Sequence, residues 1–160
     1  MIFQFTITLV GTRPPVWRRV QVPDTFTFAD FHNVIQDSMG WYDYHLHSFK
    51  MADPKNSNQS LKKVEIHMND EEVVFGKNMQ GVESLDENCT KISDYFTLEK
   101  CNLPRHAEDT FAKANYEYDF GDGWTHKMKL ETIFELGEGE AINDYPKCIA
   151  GKMACPPEDW

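Results

Sequence analysis

Two histidines set two positions apart, His45 and His47, are the first feature of this 160-residue chain that can carry chemistry. On an extended strand such residues face the same way. Two neutral imidazoles so placed can share one Zn²⁺ or Fe²⁺ when a third ligand approaches, with His126, Asp119, Asp122 and Cys148 as candidates. The plainer reading puts both histidines in a polar cleft or at a sheet edge. Asp119 and Asp122 flank Gly121 between Tyr116 and Trp124. Paired carboxylates can hold a cation, or divide acid and base roles when burial separates their pKa values. Beside glycine, however, aspartate more commonly hydrogen-bonds its own backbone in a turn.

Trp17-Arg18-Arg19 offers a flat indole and two planar guanidinium forks, a combination that can stack on and pair with an anionic ligand. The structural alternative is a core indole beside a solvated basic face. Cys148 and Cys155 have no second close cysteine pair, and no Cys-x-x-Cys occurs, so free thiols are expected at all four cysteines. The phosphate loop, nucleophile elbow, His-Glu-x-x-His and dinucleotide fingerprint are all absent. These motifs assign no catalytic residue, metal or cofactor.

The elements that must position these residues follow from hydrophobic periodicity. Phe3, Phe5, Ile7 and Leu9 alternate with polar residues over 2–10, and Val16, Val20 and Val22 do so over 16–22, which predicts an antiparallel hairpin broken by Pro14-Pro15. Thr27 with Asp30 reads as a capping pair. Phe28, Phe31, Val34, Ile35 and Met39 then recur at helical spacing up to Gly40, giving a helix over 27–39, with His32 on its polar edge. Period two over 41–51 predicts a strand carrying His45 and His47, and another strand is expected over 64–68. Thr90 is positioned to cap a short helix over 90–99. Segments 111–120 and 124–136 form a second hairpin around Gly121-Asp122-Gly123. Residues 52–60 read as a loop, and after Gly137 the chain reads as irregular. The expected fold class is α+β: a mainly antiparallel sheet of two hairpins packed against one or two helices.

Composition sets the outer bounds. The length suits one domain with its own core. A net charge of −10, from 26 acidic and 16 basic residues, repels a phosphate backbone, so a protein partner or small ligand is favoured over nucleic acid. The one arginine cluster is Arg13, Arg18 and Arg19, whereas residues 131–144 carry five acids and no base. No run approaches the roughly 18 to 20 apolar residues of a membrane span, and Met1 leads directly into strand-like sequence, so a cytoplasmic protein with no membrane partner is expected.

Arg13-Pro14-Pro15-Val16-Trp17-Arg18-Arg19, Phe31 to Gln36, Gly40-Trp41, His45 to Phe49, Tyr116 to Trp124 with His126, and Cys148 to Asp159 together resemble the plasmid pRiA4b ORF-3-like family. The motifs fall in the family's order and span nearly the whole chain. The resemblance implies one compact α+β domain over 1–160, of a kind sometimes found beside insertion elements. It also implies that a largely helical stretch normally follows Cys-Pro-Pro-Glu-Asp, whereas this sequence stops at Trp160. The leading functional expectation is a non-enzymatic binding domain in which Trp17, Arg18, Trp41, His45, Asp119, Asp122 and Trp124 line or support one polar-aromatic cleft. The alternatives are a metal-dependent enzyme using His45 and His47 with His126 or an aspartate, and an accessory protein of mobile DNA elements.

Overall fold

The computed structural model describes residues 1–56, 60–69, 75–78 and 81–157. Alternation in the first strands produces the expected hairpin: β1 (Ile2–Leu9) pairs antiparallel with β2 (Val16–Pro23), Leu9 opposite Val16. The helix α1 (Phe28–Met39) begins at a capping box. The Thr27 hydroxyl accepts from the Asp30 N–H, and the Asp30 carboxylate accepts from the Thr27 N–H. It ends where Gly40 adopts φ 74°, a left-handed conformation that lets Gly40 N–H reach Asp37 O and Trp41 N–H reach Gln36 O.

The remaining strands are β3 (His47–Ala52), β4 (Lys63–His67), β5 (Gly76–Lys77), β6 (Glu83–Asp86), β7 (Lys113–Tyr118), β8 (Trp124–Phe134) and β9 (Lys147–Lys152). Among the described residues they join into one nine-stranded sheet, in the order β5-β6-β4-β3-β7-β8-β1-β2-β9. The β4–β6 pair is parallel and the others antiparallel, so the sheet is mixed. The second hairpin is as expected in kind, with Tyr118 opposite Trp124 and Tyr116 opposite His126. One sheet face packs against α1 through Phe5, Ile7, Phe28, Phe31, Ile35, Phe49 and Phe96, all at most 1% exposed. Burial of this aromatic cluster is the main stabilising contribution.

Three expectations need correction. The helix over 90–99 reduces to a single 3₁₀ turn, Ile92–Asp94. Phe96 is drawn into the core against Phe5, with ring centroids 4.8 Å apart, and the Thr97 N–H is taken by Phe111 O. The sheet therefore carries one α-helix among the described residues, making the domain mainly sheet. The strand expected from Trp41 begins only at His47, because the Tyr118 hydroxyl accepts the Tyr44 and His45 N–H groups and Asp43 sits at φ 59°. The region after Gly137 contains an unforeseen strand, β9, paired with the outer side of β2. Part of the 52–60 loop, together with Glu158, Asp159 and Trp160, lies outside the described residues.

Candidate functional site

The site is built where the loop after α1 meets the tip of the β7–β8 hairpin. Alternation along β7 aims Tyr116 and Tyr118 at the helix side of the sheet, both fully buried. Tyr118 stacks against Trp41 at 5.3 Å, Trp41 lies 5.7 Å from Trp124, and His45 packs edge-on to Tyr118 at 5.7 Å. His45 Nε2 lies 3.7 Å from Asp119 Oδ2. Four of the sequence-derived site residues, Trp41, His45, Asp119 and Trp124, thus gather around Tyr118.

Trp17 and Arg18 do not join them. Trp17 alternates with the buried Val16 and faces the other side of the sheet, where the Arg19 guanidinium sits 5.3 Å over its ring and pairs with Glu131. Arg18 is a structural clamp. Its Nε donates to Ser38 O in the last turn of α1 at 2.9 Å, and Nη1 donates to Trp17 O and Lys152 O. A cation there also suits the negative end of the helix. Asp119 is held at φ 59°; its carboxylate accepts from the Gly121 N–H and its carbonyl from the Gly123 N–H. Asp122 is exposed at the tip and contributes its N–H to the same Asp119 oxygen, as in a turn-forming role.

The histidine pair differs from the expected one. Because the chain is not extended before His47, His45 turns to Asp119 while His47 turns inward. There it stacks on His32, ring centroids 3.5 Å apart and planes within 7°. His32 is 3% exposed, on the buried stripe of α1 rather than its polar edge. Its protonation follows from the network. The Asp43 N–H donates to Gln36 Oε1, so Gln36 Nε2 donates to the Tyr116 oxygen at 3.0 Å. Burial keeps Tyr116 well above the usual phenol range and protonated, so its O–H donates to His32 Nδ1 at 2.6 Å. His32 Nε2–H then donates to Asp43 Oδ1 at 2.8 Å. His47 Nε2 bonds Glu87 Oε2 at 2.5 Å, leaving His47 Nδ1 buried with no hydrogen-bond partner among the described residues. Burial, reinforced by the neighbouring His47, lowers the His32 pKa against the opposing pull of Asp43.

His126 stands apart from this pair. It is fully buried between Trp41 and Tyr116, neither ring nitrogen has a well-formed hydrogen bond among the described residues, and burial lowers its pKa to about 4 against the opposing pull of the Tyr116 and Trp124 backbone. It is a neutral core histidine here. Among the described residues, the grouping within metal-ligating reach is His32, Asp43 and His47. Sequence reading missed His32, Gln36, Asp43 and Glu87. The available signal was two polar residues, His32 and Gln36, one helical turn apart on the apolar stripe of α1.

Fold and site together define a mainly sheet domain whose one described helix, and the loop after it, are fastened to the sheet by buried tyrosines and histidines. The chain belongs to the plasmid pRiA4b ORF-3-like family, whose sequence profile matches residues 1–160. It is 32% identical over 159 residues to the uncharacterised protein y4hQ of Sinorhizobium fredii, covering 99% of this chain and 66% of that protein. It is also similar to the crystal structure of MM3350, a protein of unknown function from Methanosarcina mazei Go1. The TM-score is 0.74 at 38% identity, over 99% of this chain and 72% of that one. The chain thus spans about two thirds of the curated relative. No helix among the described residues is long and apolar enough to cross a membrane.

Proposed function

We propose that the chain is a binding domain that docks a protein partner on the surface formed by Tyr42, Tyr44, Leu46 and Phe120 around His45 and Asp119. The observation that carries this reading is exposure: Tyr42 and Tyr44 are 72% and 71% exposed, and Leu46 and Phe120 48% and 49%. Large apolar side chains gathered on one solvent-facing surface mark interaction sites. The segments that carry them meet: Asp119 N–H bonds Leu46 O at 2.8 Å and the Tyr118 hydroxyl accepts the Tyr44 N–H, joining loop to hairpin tip. Tyr42 and Tyr44 stack on each other at 5.8 Å, so binding costs little extra side-chain order. Rings standing this far into solvent suit a partner's surface better than a small ligand, and tyrosine and phenylalanine are enriched at the centres of protein interfaces. The net charge of −10 argues against a nucleic-acid partner.

The test is affinity capture from source-organism extract with wild type and a Tyr42→Ala/Tyr44→Ala/Phe120→Ala variant, followed by calorimetry on the purified partner. The reading expects a partner bound by wild type and weakened about tenfold or more by the variant, with thermal stability unchanged. Equal binding by both proteins, or none by wild type, refutes it.

A further inference from the structure

We propose that His32, Asp43 and His47 bind one divalent transition-metal ion of the zinc or ferrous class, at the seam between α1 and β3. This is independent of the docking surface above. The donor set is two imidazoles and a carboxylate, the mixture that suits zinc and ferrous iron. Their ligand atoms already lie within 4.8 Å of one another, and His32 Nε2 and Asp43 Oδ1 are 2.8 Å apart. Donors about 2.0 to 2.1 Å from a tetrahedral zinc stand roughly 3.3 Å from each other, so the separations come within ligating reach once the rings turn. Asp43 is the route in, since its side chain is 48% exposed while both histidines are buried.

A second observation points independently to a ligand. His47 Nδ1 is buried in a residue only 3% exposed, and among the described residues it has no hydrogen-bond partner. An imidazole whose Nε2–H is held by a buried carboxylate, here Glu87, presents its Nδ1 lone pair as a ligand. That carboxylate–histidine pairing orients metal-binding histidines generally. Two adjustments accompany loading. Planes within 7° of parallel cannot both direct an in-plane lone pair at one ion, so the stack must open. His32 must also move its proton from Nε2 to Nδ1, so that the Tyr116 oxygen accepts from His32 as well as from Gln36 Nε2 and the phenol proton gives up His32 as its acceptor.

The experiment uses the full chain, stripped with chelator and titrated with Zn²⁺ by calorimetry and with Co²⁺ by visible absorption. Nitrogen-15 spectra of the imidazoles are recorded in parallel. The expected result is one ion per chain, a rise in Tm, cobalt bands of a four-coordinate site, and a switch of the His32 tautomer. Asp43→Asn, at an exposed position that tolerates asparagine at positive φ, and His47→Gln should each weaken binding about tenfold or more. Glu87→Gln should weaken it by about 10 to 100-fold. His45→Gln, outside the set, should leave affinity unchanged. Absence of stoichiometric binding by wild type, or full retention by both Asp43→Asn and His47→Gln, overturns the proposal.

Discussion

Replacing His126 with leucine should make the protein markedly less sensitive to acid. In the native state its ring is fully buried, neither nitrogen has a well-formed hydrogen bond among the described residues, and desolvation drops its pKa from 6.5 to about 4, outweighing the Tyr116 and Trp124 backbone. Well above pH 6.5 neither the folded nor the unfolded chain protonates this residue, and it contributes nothing to pH dependence. As pH falls below 6.5 the unfolded chain binds the proton first, so stability is lost progressively until about pH 4, where the native ring protonates too. At about 1.4 kcal/mol for each tenfold change in proton affinity, the fall from 6.5 to about 4 corresponds to about 3 kcal/mol over that window. The His126→Leu protein lacks this loss. At pH 7.5 it should be as stable as wild type or slightly more so, because two unpaired buried nitrogens are replaced by a side chain of similar volume. Urea denaturation of both proteins at pH 7.5, 6.0, 5.0 and 4.5 measures the difference directly. Protonation of His32, also lowered, is common to both proteins and cancels. Parallel pH profiles would show that His126 is not held neutral by burial, and a large destabilisation at pH 7.5 would show that its nitrogens do have native partners.

Two further expectations test the clamp at the sheet edge and the C-terminal segment. A Cβ at Gly151 would stand 2.8 Å from Arg18 Cδ and 3.0 Å from Trp17 O, so Gly151→Ala should cost about 1 to 3 kcal/mol in urea melts. Gly137→Ala, whose Cβ meets only Glu140 at 3.5 Å, should be near neutral. Burial pushes the Cys155 thiol up to about 11, so at pH 7.5 a thiol-specific disulfide reagent should modify it far more slowly than the exposed Cys89 and Cys148. Equal rates would contradict its packing against the core.

Legibility in the sequence followed the burial of each element. β1, β2 and α1 each bury one regular face, and their periods could be read directly. β9 presents only half-buried or exposed positions, so as an edge strand held by backbone pairing to β2 it leaves no apolar period. The start of β3 was misplaced because tertiary bonds from the Tyr118 hydroxyl override a local alternation that runs on through His45. The same override split the site. Trp41, His45, Asp119 and Trp124 converge, and the aspartate turn was readable from Asp119-Phe120-Gly121. Trp17 could not be assigned a face from Val16-Trp17-Arg18-Arg19-Val20, where each side of the strand carries both an apolar and a basic residue.

His32 exposes the physical limit of pattern reading. A buried histidine on an apolar stripe looks like a boundary residue unless its partners are known, and these come from three separate stretches: Asp43, Glu87 through His47, and Tyr116. The two tyrosines of β7 explain why the stretches meet. Tyr116 reaches α1 through His32 and Gln36, while Tyr118, two residues along on the same face, reaches the backbone of the 44–45 loop. Asp43 precedes that loop directly in the chain and is tied twice to the first set, through its carboxylate to His32 and its N–H to Gln36. A change that moves Asp43, whether ion loading or substitution, must therefore act on the helix and on the aromatic loop together. The loop that carries Tyr42 and Tyr44 is placed by core chemistry rather than by its own sequence.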